Sequence, residues 1–376
     1  MDIVVTGIGL RSALGNLTDS WSRLIQGKSG IQLHRPFNPF RPLPLGMMGK
    51  EPSSLNPLIH LIVQDALQDA QLTAPLTTCG VVIGSSRGCQ GLWEQMATPP
   101  YAITTNWLET FPHQGAIATV RQIGSQEIAL SPMAACATGI LAISQGCDLI
   151  RQGRCERAIA GAIEVPITPL TLAGFQQMGA LAKTGCYPFD QQREGLALGE
   201  GGAVFILESA EVANKRNAKS YGTIKGWGFS CDASHVSAPA EDNCSAQIAI
   251  KQCLQRSDLS PNDVQFIHAH GTGTQLNDRR EAALIQSLFA KTIAVTSSKG
   301  ATGHTLGASG ALSVAFSLMA LKNQRLSPCV GLNQTEFRLN LVRESQQAHI
   351  NHALCLSFGF GGQNAAIALG RSLWEE

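Results

Sequence analysis

The feature that most constrains the fold is an alternation of short, β-rich apolar runs with helical patterns along the 376 residues. This alternation predicts α/β layers around a largely buried sheet. The predicted strands are Ile3–Val5, Val81–Gly84, Ile128–Ser131, Arg157–Ala160, Ala203–Glu208, Gly222–Gly228, Val264–Ala269, Ile293–Thr296, Ala353–Ser357 and Ala365–Leu369. The predicted helices are Pro57–Ala70 with Asn56 as its cap, Cys136–Gln152, Ser245–Arg256, Asp278–Phe289 and His304–Lys322.

Two strand-to-helix junctions resemble one another. The strand Ile128–Ser131 leads through Cys136 into a helix, and the strand Ile293–Thr296 leads through a glycine-rich turn into another. A strand of small residues follows each junction, at 202–207 and at 364–369. We interpret the chain as a duplicated α/β unit. Residues 1–215 and 216–376 form its halves, and the seam lies in the polar stretch Glu211–Ser220.

Composition excludes several classes of protein. Lys and Arg total 28 against 27 Asp and Glu, so no basic surplus indicates nucleic-acid binding. The 11 cysteines form no CxxC pairs, which favours a reducing cytoplasm over a disulfide framework or a zinc site. The stretch from Thr305 to Leu321 is slightly short for a membrane span, and its glycines predict a packed core helix instead.

Cys136 is the candidate nucleophile. It lies in the sequence Ala-Ala-Cys136-Ala-Thr-Gly, at a predicted strand-to-helix turn. The unpaired N–H groups and positive dipole at a helix start favour the thiolate. An arbitrary buried cysteine is usually inert, however, so the position of Cys136 does not by itself establish a catalytic role.

Two histidines follow predicted strands. His270 ends a strand in His268-Ala-His270-Gly-Thr272-Gly-Thr274, where backbone and hydroxyl groups can bind a polar ligand. His268 lies on the same strand face, but with no third ligand nearby the sequence predicts no metal site.

His304 follows Lys299 in a glycine-rich turn before a helix. This turn lacks the phosphate-binding P-loop pattern, and a lone histidine at a helix start is equally well explained as a cap or a surface residue. The last strand–turn–strand, from Phe358 through Phe360 to Asn364, has three glycines and is either a mobile turn with unusual dihedrals or a plain hairpin.

Taken together and in this order, the motifs resemble those of the thiolase-superfamily ketosynthases. The elongating β-ketoacyl-[acyl-carrier-protein] synthases of type II fatty acid synthesis match best. The resemblance covers nearly the whole chain. It includes Val4-Val5-Thr-Gly-Ile-Gly9, the Cys136 loop, Tyr187-Pro-Phe-Asp190, Gly199-Glu-Gly-Gly202 and the motifs of His270, His304 and Phe360. It implies a thiolase-like fold, with two pseudo-symmetric halves in a layered α/β/α/β/α core.

The resemblance also implies roles for individual residues. Cys136 matches the acyl-accepting nucleophile, and His270, His304 and Lys299 match the other catalytic groups. Phe360, with Phe358 beside it, matches the gating turn, whose backbone N–H forms an oxyanion hole with that of Cys136. Thr272 and Thr274 match the threonines that bind the pantetheine arm, and Asp278 and Glu281 match acidic residues that support the site.

The implied reaction is decarboxylative Claisen condensation. The acyl group on Cys136 is joined to a malonyl group on an acyl carrier protein, without a metal or redox cofactor. The resemblance further implies a homodimer in the cytoplasm, with no nucleic-acid partner and no membrane span.

Departures from the family pattern leave the acyl chain length, the carrier and the pathway open. The chain is abbreviated around Gly46–Leu58, around Gly91–Phe111 and between Ala182 and Pro188, regions that shape the acyl pocket, the dimer contact and the carrier approach in relatives. His268 replaces the usual Asn, and Gln363 replaces the usual Thr.

A ketosynthase of a specialised polyketide or glycolipid pathway therefore remains the main alternative, and a non-catalytic chain-length partner is a weaker one. A decarboxylating starter variant is disfavoured by Cys136, and a thiolase by the lack of a second cysteine in the C-terminal turn.

Overall fold

A computed structural model describes residues 1–99 and 107–372. Part of the predicted abbreviation around Gly91–Phe111, residues 100–106, therefore lies outside the described residues. The strands are β1 (Ile3–Ser12), β2 (Gly15–Asn16), β3 (Gln32–His34), β4 (Leu43–Gly46), β5 (Cys79–Gly84), β6 (Ala129–Leu130), β7 (Arg157–Glu164), β8 (Leu198–Gly199), β9 (Gly201–Ser209), β10 (Gly222–Cys231), β11 (Phe266–His268), β12 (Ala294–Thr296), β13 (Arg325–Leu326), β14 (Asn340–Leu341), β15 (Gln346–Gln347), β16 (His352–Gly359) and β17 (Gln363–Gly370).

The α-helices lie between these strands. They are α1 (Leu17–Ile25), α2 (Leu55–Asp69), α3 (Gln90–Met96), α4 (Gln114–Ile123), α5 (Thr138–Arg151), α6 (Pro169–Gln177), α7 (Ala210–Lys215), α8 (Cys244–Arg256), α9 (Gln275–Leu288), α10 (Lys299–Thr302) and α11 (Ser309–Asn323). Short 3₁₀ turns occur at Trp107–Thr110, Pro261–Asp263, Leu306–Ala308 and Phe360–Gly362.

The main sheet contains two sets of strands with the same pairing. Its order is β14-β12-β11-β16-β17-β10-β1-β9-β7-β5-β6. In the first set, β1 pairs antiparallel with β9 and β9 with β7, after which β7, β5 and β6 run parallel. The second set repeats this pattern with β10, β17, β16, β11 and β12, and antiparallel pairing of β1 with β10 joins the two sets. The two sets are therefore related by pseudo-two-fold symmetry.

The helices form the other layers. Apolar residues of α2 and α4 cover one set of strands, and those of α8 and α9 cover the other set. Helices α5 and α11 lie between the two sets, and their apolar residues pack into one central core. Because the long central strands of both sets are buried on both faces, the expected α/β/α/β/α layering and the thiolase-like fold are confirmed.

The two central helices approach each other closely, because glycines lie where they cross. A Cβ atom on Gly139 of α5 would lie 2.5 Å from the backbone nitrogen of Ala311 in α11. A Cβ on Gly310 would lie 2.9 Å from a side-chain carbon of Ile140. Larger residues at these positions would separate the helices. The crossing lies beside the N-terminal ends of α5 and α11, where the junctions after β6 and β12 enter them.

Several predicted boundaries were wrong. The first long helix begins at Leu55 and not at Pro57; its cap is Ser54, and Asn56 lies inside the helix. The helix predicted from His304 begins at Ser309, because Leu306 has a positive φ of 43° and a 3₁₀ turn comes first. The seam predicted at Glu211–Ser220 includes α7, whose start is capped by Ser209. A division of the chain near residue 215 remains a proposal, which the matched strand sets support.

The stretch from Thr305 to Leu321 does contain a packed core helix, because α11 and the turn before it are almost wholly buried. Along residues 1–99 and 107–372, no helix combines the length and the apolar character needed to cross a bilayer.

We predict that Glu208→Gln strongly destabilises the fold. Glu208 is fully buried in β9 and pairs with Arg157 and Arg216 at 2.6 Å each, while Thr6 donates a hydrogen bond to it. Burial raises the pKa of the Glu208 carboxyl, but hydrogen bonds from Arg216, Thr6 and Arg157 outweigh it, so the net pKa is lowered. Removing one partner of such a cluster leaves uncompensated charge and typically costs about 3–5 kcal/mol.

Urea unfolding would measure the free energy of unfolding of the Glu208→Gln variant. The matched control is Glu211→Gln, three residues along, which removes a fully exposed pair with Lys215 and should cause no measurable change. The pKa of Glu208 is lowered in the folded state. Its contribution to the free energy of unfolding is therefore fully present above the pKa of an unfolded glutamate and is lost as the pH falls through the pKa of the folded protein. Equal stability of the Glu208→Gln variant and the wild type would contradict the prediction.

Candidate active site

Cys136 lies between β6 and α5, two residues before the helix begins. The preceding residue, Ala135, has a positive φ of 46°, which turns the chain sharply at this point. Thr138 holds the turn, because its hydroxyl accepts a hydrogen bond from Ala134 N at 2.8 Å and donates one to Ala135 O at 2.7 Å. The thiol is buried, and Ser357 donates a hydrogen bond to the Cys136 carbonyl oxygen at 2.8 Å.

The structure brings both predicted histidines to this cysteine. His304 Nε2 lies 3.4 Å from Cys136 Sγ. The rings of His270 and His304 meet edge to face, with centroids 5.2 Å apart. One ligand-type atom from each of Cys136, His270 and His304 lies within 4.8 Å of the other two. Cys136 follows β6, His270 follows β11 and His304 follows α10. Because these segments leave the same edge of the sheet in the two related sets of strands, the three side chains lie together.

Lys299 contacts His270. Its Nζ atom lies 3.4 Å from His270 Nδ1 and donates a hydrogen bond to the His270 carbonyl oxygen. Burial lowers the pKa of Lys299, and the nearby Glu281 carboxyl opposes that shift. A lysine ammonium has donors and no acceptor, so the contact leaves His270 Nδ1 as the acceptor.

The two predicted acidic residues hold backbone in place. Glu281 accepts hydrogen bonds from the backbone N–H groups of His270 at 2.6 Å and Gly271 at 2.7 Å. Asp278 accepts from the N–H groups of Phe189 at 2.7 Å and Gly273 at 3.2 Å. Burial raises the pKa of the Glu281 carboxyl to about 7. These carboxylates fix the turn that carries His270.

The glycine-rich turn at the C-terminal end also reaches the site. The Phe360 backbone N–H lowers the pKa of the Cys136 thiol, and the Phe360 ring, on a residue 37% exposed, stacks on Phe175 with centroids 5.8 Å apart. The Phe358 ring lies edge to face against His270 at 5.9 Å. Thr272 and Thr274 share a hydrogen bond of 2.8 Å between their hydroxyls. Every sequence-predicted site residue therefore lies in or beside this cluster.

The two departures from the family pattern lie just outside the cluster. His268 is fully buried behind His270, and neither of its ring nitrogens has a hydrogen-bond partner among the described residues. Burial lowers its pKa to about 3. Gln363 follows the Phe360 turn and donates to Cys231 Sγ at 3.8 Å.

Burial dominates the ionisation of the catalytic groups. It raises the pKa of the Cys136 thiol to about 11; Lys299 lowers that pKa and Glu164 raises it further, while Arg87 and the Phe360 N–H lower it. The predicted preference for the thiolate is therefore wrong in its net direction. Burial, followed by the Lys299 charge, lowers the pKa of both His270 and His304 well below their ordinary value. Both rings are neutral at pH 7.

We predict that alkylation of Cys136 by iodoacetamide rises about tenfold per pH unit between pH 7 and 9, because the thiolate is the reacting species and remains the minor form throughout that range. Quantitative mass spectrometry of the Cys136 peptide would measure the rate. The exposed Cys231 and Cys244 give internal reference rates. A plateau below pH 7 would mean that the helix end and Lys299 outweigh burial.

A Cys–His–His cluster of this size offers donor atoms that zinc accepts. The ammonium of Lys299 beside His270 opposes a divalent cation at that point, because like charges repel in a buried site. The donor set also falls one protein ligand short of a structural zinc site. The cluster is better suited to acyl-group chemistry.

Sequence reasoning missed three polar residues here. Ser309 lies 2.7 Å from His304 Nδ1, and Ser357 holds the Cys136 carbonyl. Glu164, fully buried, accepts hydrogen bonds from Ser85, Ser86, Arg87 and Gly307, and so ties β7 to the turn before α11. The only sequence signal for Ser309 was its place five residues after His304, whereas the others depend on contacts far apart in the chain.

The two-set sheet and the cysteine beside paired histidines define an acyl-transferring enzyme of the thiolase-like class. A model of the β-ketoacyl synthase N-terminal domain matches residues 38–213, and one of the C-terminal domain matches residues 221–333. The chain belongs to the β-ketoacyl synthase family.

Individual relatives agree with this assignment. The 3-oxoacyl-[acyl-carrier-protein] synthase 2 of Staphylococcus aureus is 30% identical, and that of Synechocystis sp. is 32% identical; each alignment covers 97% of both chains. A solved structure of a type II polyketide acyl-carrier protein in complex with its ketosynthase, bound to the hexaketide, superposes with a TM-score of 0.92 at 25% identity, over 99% of both chains. A β-ketoacyl synthase from Burkholderia phymatum, at 23% identity and a TM-score of 0.89, shares the fold.

Proposed function

We propose that this protein catalyses decarboxylative Claisen condensation of an acyl group held on Cys136 with a malonyl group on a carrier protein, giving a β-ketoacyl carrier in fatty acid synthesis. The observation that carries the proposal is the convergence of Cys136, His270 and His304 within 4.8 Å in a chain of the β-ketoacyl synthase family. The arrangement needs no metal or redox group for this reaction.

In the first half-reaction, the Cys136 sulfur attacks the carbonyl carbon of an acyl thioester, the bond from that carbon to the carrier sulfur breaks, and the departing carrier thiolate takes up the proton that the Cys136 thiol gives up. The backbone N–H groups of Cys136 and Phe360 stabilise the tetrahedral oxyanion, and such donors are typically worth about 3–4 kcal/mol each. The effect of the Phe360 N–H on the pKa of the Cys136 thiol supports this role. The half-exposed Phe360 ring lies where it can open or close the entrance, with Phe358 behind it against His270.

In the second half-reaction, the malonyl group loses its carboxylate and leaves an enolate. His270 and His304 donate N–H hydrogen bonds to the thioester oxygen that bears the new charge. A neutral imidazole has one such donor, which suits histidines whose pKa is lowered. The carbanion then attacks acyl-Cys136, and the released thiolate takes up the one proton that the overall reaction consumes.

Thr272 and Thr274 are proposed to bind the pantetheine arm of the carrier. Their hydroxyls are hydrogen-bonded to each other on the turn that follows His270, and Asp278 and Glu281 accept hydrogen bonds from the backbone of that turn. An acyl carrier protein as partner is supported by the names of the Staphylococcus and Synechocystis relatives and by the polyketide complex. A homodimer and a cytoplasmic location belong to the same proposal.

A ketosynthase of a specialised polyketide pathway is the second candidate. The similarity of the fold to the polyketide ketosynthase complex favours it. Both candidates use the same catalytic groups and differ in the acyl chain. A non-catalytic chain-length partner is disfavoured, since Cys136 and both histidines are present.

The test supplies acyl carriers from two to about sixteen carbons, then malonyl carrier, and follows both the adduct on Cys136 and the β-ketoacyl product by mass spectrometry. Condensation with saturated acyl donors of increasing length would identify a fatty acid enzyme. A preference for polyketone donors would identify the second candidate. Absence of an adduct with every donor would overturn both.

A further inference from the structure

Among the described residues, Ser309 is the one side chain that hydrogen-bonds to the far nitrogen of His304. Its hydroxyl oxygen lies 2.7 Å from His304 Nδ1, while His304 Nε2 lies 3.4 Å from Cys136 Sγ on the other side of the ring. Ser309 is 4% exposed and begins α11, and the 3₁₀ turn Leu306–Ala308 brings it back beneath the ring. The imidazole is thus held between the serine and the nucleophile.

Ser309 does not serve the helix start, where serine is common. The cap of α11 is Ala308, and no side chain caps the helix. In residues 1–99 and 107–372, the Ser309 hydroxyl makes no other hydrogen bond. A buried hydroxyl hydrogen needs an acceptor, and here the available one is the lone pair on His304 Nδ1. The Ser309 hydroxyl therefore donates, and the ring hydrogen of neutral His304 lies on Nε2.

His270 is held in the same tautomer by a different residue. Lys299 contacts its Nδ1 and can only donate, so the hydrogen of a neutral His270 also lies on Nε2. Two rings with centroids 5.2 Å apart then present matching N–H groups near the Cys136 sulfur. A partner on the far nitrogen commonly fixes the tautomer and orientation of a functional histidine.

We propose that Ser309 is a positioning residue that holds His304 in the tautomer with its hydrogen on Nε2, as Lys299 does for His270. The inference rests on the proposed function, because this tautomer matters when His304 must donate to the developing enolate. Loss of the Ser309 hydroxyl frees the ring to adopt the other tautomer. That tautomer carries its hydrogen on Nδ1 and has none on Nε2 to donate to the thioester oxygen.

Nitrogen-15 NMR of histidine-labelled protein without substrate gives the first test. The wild type should show His304 protonated on Nε2 with a hydrogen-bonded, unprotonated Nδ1, and Ser309→Ala should shift signal toward the Nδ1-protonated form. A His304→Asn sample assigns the resonance. A wild-type His304 protonated on Nδ1, or a spectrum unchanged in Ser309→Ala, would overturn the proposal.

Kinetics give the second test. In Ser309→Ala we expect kcat for malonyl-carrier decarboxylation to fall about tenfold to thirtyfold with little change in KM, while acylation of Cys136 changes less than about threefold. Ser309→Thr keeps the hydroxyl and should restore most of the rate. Ser313→Ala, one turn along α11 and equally buried, is the control and should behave like wild type.

Equal loss of both half-reactions in Ser309→Ala would indicate a merely structural role and overturn the inference. If a melting curve shows that Ser309→Thr does not fold, the Ser309→Ala spectrum still decides the tautomer. The two proposals also fail separately. A wild type with the Nε2-protonated ring but no condensation would refute the function and leave the role of Ser309 on His304 intact.

Discussion

Cys136→Ala is expected to abolish condensation, lowering its rate at least about 10³-fold and leaving no acyl adduct on the protein. The reason is geometric as well as chemical. Cys136 Sγ lies 3.4 Å from His304 Nε2 and in one cluster with His270, so the acyl group has no equivalent acceptor among the described residues. Intact-protein mass spectrometry after incubation with an acyl carrier measures the adduct, and product analysis measures condensation.

The same variant separates the two half-reactions. Decarboxylation of the malonyl carrier uses the histidines and not the sulfur, so it should persist in Cys136→Ala at a measurable rate. Cys147→Ala is the matched control, because Cys147 is also buried, lies in α5 and belongs to the central core. It should retain wild-type acylation. Condensation by Cys136→Ala above a tenth of the wild-type rate would remove Cys136 from the mechanism.

His270→Ala and His304→Ala should each lower malonyl decarboxylation about 10²–10³-fold, the usual loss when one preorganised donor is removed from a developing anion. The double variant should be less impaired than the product of the two single effects, because both rings act on one oxygen. His349→Ala, at an exposed position, is the control and should be unaffected. A stopped assay of malonyl-carrier loss measures all four proteins.

The pH dependence of decarboxylation gives an independent check on the two histidines. Their pKa values are lowered by burial and by Lys299, so both rings stay neutral as the pH falls from 7 to 6. An ordinary histidine would be largely protonated at the lower end of that range. We therefore expect a flat profile between pH 7 and 6. A fall centred near pH 6.5, or unchanged decarboxylation in either alanine variant, would contradict the donor role.

The local sequence was enough to locate the strands and the catalytic turns. The turns of Cys136 and His270 were located because each follows an apolar run predicted as a strand, and glycines marked the turn before His304. Boundaries at the helix starts were harder. The helix after His304 begins five residues late because the backbone at Leu306 has a positive φ, a conformation that the residue type does not announce.

The sequence alone could not predict the ionisation of the Cys136 thiol. The helix start predicted a thiolate at Cys136, yet burial raises its pKa to about 11. Burial at one residue depends on atoms from the whole fold. Here Phe175, Leu198 and Leu306 belong to the same buried apolar cluster as Cys136, a group that the local sequence places at an open turn.

By itself, the sequence determined the α/β class, the duplicated junctions, the family and the residue types of the site, since these depend on periodicity and motif order along the chain. The tertiary structure alone decided which groups touch. It brought Cys136 within 3.4 Å of a histidine 168 positions away, placed Ser309 on the other side of that ring, and removed water from all three. Contact and desolvation are properties of packing, because they arise from elements that are far apart in the chain and meet only in the folded structure.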